Sequence, residues 1–449
     1  MLSIKKIITK MTTRSKKSKA STGPLVIPRS EHNISRKHIS SAALKVLYSL
    51  KDAGFDAYLV GGCVRDLLLG YEPKDFDVTT NATPEQVHKV FRRSRLIGRR
   101  FKLVHVRYGR EVIEVATFRA PPETEQHSDD QGRIMRDNVY GTLEQDAWRR
   151  DFSINALYYS IDGFTITDFT GGMADLDAGV IRLLGDVETR YREDPVRMLR
   201  AIRFVGKLGL KLDEKTEDLI FDFAHLLADI PAARLFDECL KLYLSGNAAV
   251  THELLCHYGL FDVLFPQTAE LLHEEEGAPR TLLMRALENT DLRIEDGKPV
   301  TPAFLFAALL WEPVKQQWQE NIAHNIPPIP ALQRAATDVI SQQVRRVAIP
   351  KRFTLVSRDI WTLQPRLEKR FGKRAVRLIS HPKFRAGYDF LLLRAETGEA
   401  DQELAEWWTR FQEVNEDEQQ QMVKALSPTA SSGKGKRRRR RKKPAATTE

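Results

Sequence analysis

An α/β domain that leads into a long, mostly helical region is the fold class this sequence predicts, on two observations. Between Phe55 and Phe118, strand-like runs are punctuated by glycine turns, with a helical spacing after the first of them. From Thr216 onward, apolar residues recur every three or four positions between prolines.

Phe55 to Val60 is a short apolar run that stops at Gly61-Gly62, after which Val64, Leu67 and Leu68 recur at helical spacing up to Gly70. The reading is strand, tight turn, helix. Without side chains at Gly61 and Gly62 the backbone can approach a polyphosphate, and the helix start offers free N–H groups and a positive dipole end. Arg65 is placed to neutralise a phosphate. In Asp75-Phe76-Asp77-Val78-Thr79 the period of two puts Phe76 and Val78 on one sheet face and both carboxylates on the other. Two neighbouring carboxylates repel, and a divalent cation removes that repulsion. Mg²⁺ suits a site of a few carboxylates plus phosphate oxygens, and two ions can hold an attacking hydroxyl and a leaving pyrophosphate in line.

A third carboxylate has two candidates. Phe101–Arg107 and Glu111–Phe118 read as strands joined around Tyr108-Gly109-Arg110, and Glu114 shares a face with Val112 and Ala116. A carboxylate among apolar neighbours is costly unless paired or metal-bound, so Glu114 is one candidate. Asp151 is the other. It is expected on a helix that starts at the capping pattern Thr142-x-x-Gln145, one turn from Asn155 on the same face, suited to a ribose hydroxyl or to orienting the metal cluster.

In Arg192 to Phe204, Asp194 is expected as N-cap and Pro195 as the first helical residue. Arg197, Arg200 and Arg203 then form a basic stripe beside an apolar stripe of Val196, Leu199, Ile202 and Val205. Asp194 and Arg197, one turn apart, offer an acceptor and a donor together. That pairing matches the amino group and adjacent ring nitrogen of adenine or cytosine.

On these residues the run from Leu59 to about Gly246 resembles the class II tRNA nucleotidyltransferase and bacterial poly(A) polymerase family, within the DNA polymerase beta-like superfamily. Five segments carry the resemblance: Gly61 to Asp66 with Asp75 to Asp77; Glu114 to Arg119; Arg149 to Leu157; Phe169 to Gly172 with Asp175-Leu176; and Glu193 to Arg197. The resemblance implies an α/β nucleotidyltransferase head with a mixed sheet, then helical neck, body and tail regions. The expected boundaries are a basic segment 1–30, head 31–171, neck 172–265, body 266–420 and arginine-rich tail 421–449. It also implies Mg²⁺ at Asp75 and Asp77, and leaves Glu114 and Asp151 as the two candidates for a third catalytic carboxylate. The nucleotide site would comprise Gly61, Gly62, Arg65 and Asp66, ribose selection through the Arg150, Asp151 and Asn155 motif, base selection by Asp194 and Arg197, and Arg200 and Arg203 on the same helix. The substrates implied are ATP and RNA 3′ ends. The helical body, Ile349 to Phe353, Arg358 to Trp361, His381 to Arg385 and the arginine-rich end resemble the poly(A) polymerase branch. CCA addition to tRNA is the alternative, and a noncatalytic RNA-binding adaptor a second one.

Composition agrees with an RNA-directed enzyme. The three cysteines, Cys63, Cys239 and Cys256, lack any metal-type spacing and argue for reduced cytoplasm and against structural zinc. The longest apolar run, Phe304 to Trp311, is too short to span a membrane. Basic charge sits at the ends: seven Lys/Arg in residues 1–19, and nine in 434–449, including Arg437 to Arg441. Ser427 to Lys443, which contains this second cluster, is expected to be a disordered tail that holds a polyanion without reading sequence. The polar segment Ala120 to Asn138 is expected to be a mobile loop near the site. Helices are expected over 216–228, 233–244, 252–264, 280–288 and 303–311, with Ile326 to Pro330 a rigid connector. Lys351-Arg352-Phe353 and His381 to Arg385 interleave bases and aromatics, which suits single-stranded RNA or, equally, surface charge beside buried Phe. A monomer is expected, with RNA-degradation or RNA-chaperone proteins as candidate partners.

Overall fold

The computed structural model describes residues 23–98, 102–120, 139–274 and 278–426. The basic N-terminus, most of the Ala120–Asn138 segment and the arginine run lie outside the described residues. By Cα proximity the chain divides into two units, residues 1–230 with 257–260 and residues 231–256 with 261–449. That division falls inside the stretch 172–265 expected as neck.

The first unit is built on an eight-stranded sheet. Its strands are β1 (Leu25–Ile27), β2 (Ala57–Val60), β3 (Asp77–Thr80), β4 (Ser94–Ile97), β5 (Leu103–Tyr108), β6 (Glu111–Thr117), β7 (Leu157–Ser160) and β8 (Ile166–Asp168). The order is β1-β8-β7-β2-β3-β6-β5-β4. Only the β3–β6 pair is parallel, so the sheet is mixed, as expected. Helix α1 (Ser41–Asp52) packs on β2, β3 and β6. Ser40 caps it by accepting from the Ala43 N–H, and Ala42, Ala43, Val46, Leu47 and Leu50 are buried at helical spacing. The strands answer with Leu59, Val78, Val104, Val106, Ile113 and Val115, all nearly inaccessible. Their alternate residues are left on the opposite face, which carries the acids.

Helix α2 (Gly62–Leu68) follows β2 directly, as the glycine turn predicted. Helix α3 (Pro84–Val90) opens with a Thr83/Gln86 capping box, and helix α4 (Leu143–Trp148) with the expected box between Thr142 and Gln145. Beyond β8 come α5 (Gly172–Asp177), β9 (Val180–Ile181), α6 (Val187–Glu193), α7 (Val196–Leu208), β10 (Lys211–Leu212) and α8 (Glu214–Phe223).

The second unit is helical. The expected helix over 252–264 is instead two, Ala248–His257 and Leu260–Leu264, because Gly259 takes the left-handed conformation at φ 67°. Ile326 to Pro330 is not a connector: Pro328 starts the helix Pro328–Arg346. Prolines are tolerated in a first turn whose N–H groups have no intrahelical acceptor. The aromatic residues interleaved with bases face inward. Phe384 is buried and packs on Trp408 at 5.3 Å, and Phe353 stacks on Phe236 at 6.1 Å. Lys351 and Arg352 are exposed on the surface beside them.

Gly172 starts α5 so close to the preceding turn that a Cβ would overlap the carbonyl of Ser153. Because backbone cannot yield as a side chain does, Gly172→Ala is expected to cost roughly 3 kcal/mol. Urea midpoints of the two proteins check this.

Candidate active site

Two Gly-Gly turns in this unit each lead into a helix from a first glycine at positive φ, but they differ in ψ, −134° at Gly61 against 19° at Gly171, and in what fills them. At Thr170-Gly171-Gly172 the Asp168 carboxylate accepts from the backbone N–H groups of Thr170, Gly171, Gly172 and Met173 at 2.9 to 3.1 Å. That turn is satisfied from within. At Gly61-Gly62, Gly61 adopts φ 79° and no side chain caps α2. A side chain at Gly61 would meet Arg150 Nη1 at 3.6 Å, so the bare turn is where a guanidinium and the backbone come together. Cys63 next to it donates to the Val60 carbonyl at 3.3 Å, and burial pushes its thiol up to about 12. It is a small filler without reactivity at neutral pH.

The acids gather on the open sheet face. Strand β3 starts at Asp77, with Asp75 just before it, and both are exposed while Phe76 and Val78 are buried. Asp77 lies directly beside Glu114 in the parallel β3–β6 pair. Glu114 is solvent-exposed rather than set among apolar groups, and its Oε1 lies 3.1 Å from His105 Nε2. Although solvent reaches it, Asp77 sits deep enough to be poorly hydrated. Burial, Glu114 and Asp75 push its carboxyl up to about 6, against the pull of Arg150. This mutual repulsion is what a divalent cation relieves. Among the described residues no three His, Cys, Asp or Glu side chains already converge in a metal-holding arrangement.

Asp151 is not on a helix. Helix α4 ends at Trp148, and Asp151 lies in the turn before the 3₁₀ segment Ser153–Asn155. Its Oδ1 accepts from the Phe152 N–H at 2.8 Å and from Asn155 Nδ2 at 3.3 Å, local bonds that compete with helix continuation. Its Oδ2 accepts from Arg200 Nε at 2.7 Å. Asn155 Oδ1 accepts from Arg65 Nη1 at 2.6 Å, and Arg65 Nε donates to Asp66 Oδ1 at 2.9 Å. Asp66 Oδ2 accepts from Lys207 Nζ at 3.2 Å. Arg200 and Lys207 both belong to α7, so the chain of contacts closes on the helix where it began. Arg65, expected against a phosphate, is turned inward, with its guanidinium 5.0 Å over the Phe204 ring. Arg203 also lies over Phe204, at 4.9 Å.

Arg150 is fixed by Asp146 Oδ2 at 2.9 Å and by the Tyr158 hydroxyl at 2.9 Å. Arg190 on α6 donates to the carbonyl oxygens of Arg149 and Arg150 and to Glu193. Helix α7 begins one residue later than expected, at Val196, whose N–H is capped by Asp194 Oδ1 at 3.3 Å. Arg197 Nη1 donates to Glu193 Oε2 at 3.0 Å and to the Arg190 carbonyl. Asp146, Tyr158, Arg190 and Lys207 escape the sequence reading. Asp146 and Arg190 left a local signal, in the i, i+4 spacing of the first to Arg150 and the i, i+3 spacing of the second to Glu193.

Burial raises the Asp146 carboxyl, but the Arg150 and Arg149 guanidinium groups and the Tyr158 hydroxyl outweigh it and hold it at about 2. Arg200 likewise holds Asp151 below the usual carboxylate range against the effect of burial. Groups depressed on folding stabilise above the unfolded value of about 4 and lose that contribution as pH falls towards the folded one. Wild-type protein is expected to lose about 2 kcal/mol through Asp146 alone between neutral pH and pH about 2. Asp146→Asn should be less stable at neutral pH but lose less on acidification, as read from urea midpoints across that range.

Three family models match the chain: the poly A polymerase head domain over residues 57–182, the "probable RNA and SrmB-binding site of polymerase A" over 209–272, and the polymerase A arginine-rich C-terminus over 324–444. Poly(A) polymerase I of Escherichia coli is 49% identical over 437 residues, covering 95% of this chain and 94% of that protein. The Haemophilus influenzae poly(A) polymerase I is 47% identical over 89% of this chain and 90% of its own length. A CCA-adding enzyme from Lactobacillus helveticus is 44% identical, but over 200 residues, covering 44% of this chain and 49% of that enzyme. Among solved structures, the Bacillus stearothermophilus CCA-adding enzyme in complex with CTP superposes with a TM-score of 0.57 at 27% identity, covering 82% of this chain and 81% of that one. With an eight-stranded mixed sheet that gathers the acids and full-length similarity to named polymerases, this chain belongs to the bacterial poly(A) polymerase family of nucleotidyltransferases.

Proposed function

We propose that this chain is a template-independent poly(A) polymerase, which transfers AMP from ATP to RNA 3′ hydroxyls and releases pyrophosphate. One observation carries the choice of branch. Similarity to poly(A) polymerase I runs through 95% of the chain, whereas similarity to the Lactobacillus CCA-adding enzyme covers 44%.

The residues divide the work. Asp75, Asp77 and Glu114, on the open face of β3 and β6 and just before β3, would hold Mg²⁺. Bound there, Mg²⁺ supplies charge neutralisation and alignment for an in-line displacement. Glu114 rather than Asp151 is the third carboxylate on this reading, because it stands next to Asp77 while both Asp151 oxygens are engaged. Gly61 and Gly62 let the triphosphate approach the backbone, with Arg150 beside them. Arg65, Asp66, Asn155 and Arg200 act by fixing the Asp151 turn against α2 and α7, and ribose selection comes through that turn. Arg203 lies over Phe204 on the same helix, and Phe204 in turn packs on Phe152. Asp194 and Arg197 at the start of α7 read the base edge. An enzyme of this kind would work in the cytoplasm as a monomer that promotes RNA turnover, alongside RNA-degradation or RNA-chaperone proteins, with the basic tail as an added phosphate-binding segment.

Incubated with Mg²⁺, all four nucleotides and a generic single-stranded RNA, the protein should build a long adenylate tail with little CMP. A tRNA that lacks its terminal CCA should not be restored. Addition of C, C and A followed by arrest would replace this reading by CCA addition, and no extension of any RNA would leave an adaptor. Asp77→Asn and Glu114→Gln should each lose at least about a hundredfold in rate, as expected when a group stabilising transition-state charge is removed. Asp151→Asn should weaken ATP more than dATP.

A further inference from the structure

Cross-strand register places Asp77, Glu114, His105 and Arg95 in one row over four adjacent strands, on the open face. Strands lie about 4.8 Å apart, so Arg95 on edge strand β4 is about 10 Å from Glu114 along this row. Arg107 is two residues beyond His105 on the same face of β5. Around that end of the sheet, on the side where α1 packs and not on the face of the acids, Arg92, Arg93, Arg107 and Lys45 of α1 line a cavity of about 620 Å³, whose lining contains a single carboxylate, Glu111. The Arg93 carbonyl accepts from the Arg107 N–H at 3.0 Å, which ties β5 to the segment before β4.

These cations differ from the site arginines. Arg65, Arg149, Arg150, Arg190, Arg197 and Arg200 are each in contact with a carboxylate. Among the described residues Lys45, Arg92, Arg93, Arg95 and Arg107 have no ion pair, and Lys45 engages only the face of Tyr108, at 5.7 Å. Lys45, Arg92, Arg93, Arg95 and Arg107 are exposed. Like charges gathered on two strands, the turn before β4 and a helix repel one another, and a polyanion relieves that repulsion.

We propose that this edge is an RNA site, in which the single strand that leads to the reacting 3′ end passes Arg95 and Arg107 at the open face and turns around the end of the sheet onto Arg93, Arg92 and Lys45 on the α1 side, each of the five holding a phosphate. The site rests on the RNA-extending function proposed above and lies outside residues 209–272, which match the RNA-binding family model. Its polar lining consists of charges and the hydroxyls of Ser41, Ser49 and Tyr108, with no side-chain amide to read a base edge. Lys45 already covers Tyr108. The site therefore takes the sugar-phosphate backbone without sequence preference, as suits a growing product of any origin.

The test uses the full-length protein and the triple variant R92Q/R93Q/R107Q, with R92K/R93K/R107K as the charge-retaining partner. Anisotropy of a labelled long oligoadenylate, read without ATP over a salt series, should show roughly tenfold weaker binding for the Gln variant, and a slope of log affinity against log salt shallower by about 2, for three lost contacts at about 0.7 each. The Lys variant should bind like wild type. Addition of one AMP to a dinucleotide primer, too short to reach the edge, should proceed at the wild-type rate in both, which also reports an intact fold. Unchanged long-RNA affinity and salt slope in the Gln variant would overturn the proposal. So would an equal loss on the dinucleotide, which would put these cations at the nucleotide. Because binding is read without catalysis, a wild-type enzyme that failed to polyadenylate would sink the function and leave the edge site to be judged separately.

Discussion

One chain of side-chain contacts sets the geometry of the site: Arg200 to Asp151, Asp151 to Asn155, Asn155 to Arg65, Arg65 to Asp66, and Asp66 to Lys207. Both ends are on the helix Val196–Leu208, and the middle crosses the Ser153–Asn155 turn and the helix Gly62–Leu68. These groups are largely withdrawn from water, so each depends on its neighbour. Removal of one member of a buried pair typically costs about 3–5 kcal/mol, because the partner is stranded. The chain therefore acts as a ring clamp. It fixes the glycine turn, the segment after helix Leu143–Trp148 and the base-reading helix relative to one another. A guanidinium turned inward contributes more here than one that reaches for a phosphate.

The acids obey the opposite logic. Asp75, Asp77 and Glu114 are placed by the pleat and by the parallel register of two strands, with solvent in front of them and like charges beside them. Burial first, and then the neighbouring Glu114 and Asp75, raise the Asp77 carboxyl. A rigid arginine clamp stands next to an unrelieved carboxylate group, so the protein itself is settled while its open face still calls for positive charge. The same contrast separates the two Gly-Gly turns. Asp168 satisfies one from within, and the other has been left bare.

Much of this was legible from local pattern. The strand, glycine turn and helix at Phe55 to Gly70, the face separation of Phe76 and Val78 from Asp75 and Asp77, and the capping box at Thr142 all follow from stereochemistry within a few residues. Asp151 was misplaced because its bonds to the Phe152 N–H and to Asn155 reward a turn over another helical turn. Lys207 left no signal, since its partner is 141 residues away, and the spacing of Arg190 to Glu193 gives no hint of the carbonyls it reaches about 40 residues away.

What the residue order determined was therefore the coarse layout governed by periods of two and 3.6, by caps and by the glycine turn at Gly61: the α/β head, the helical remainder, and which acids share a sheet face. Tertiary structure decided between Glu114 and Asp151 as neighbour of Asp77, turned Arg65 and Phe384 inward, and brought Arg95 into line with the acids. Those outcomes depend on strand register and on pairing between distant charges, which are set by the energy of the whole packed unit and have no trace in the spacing of neighbours.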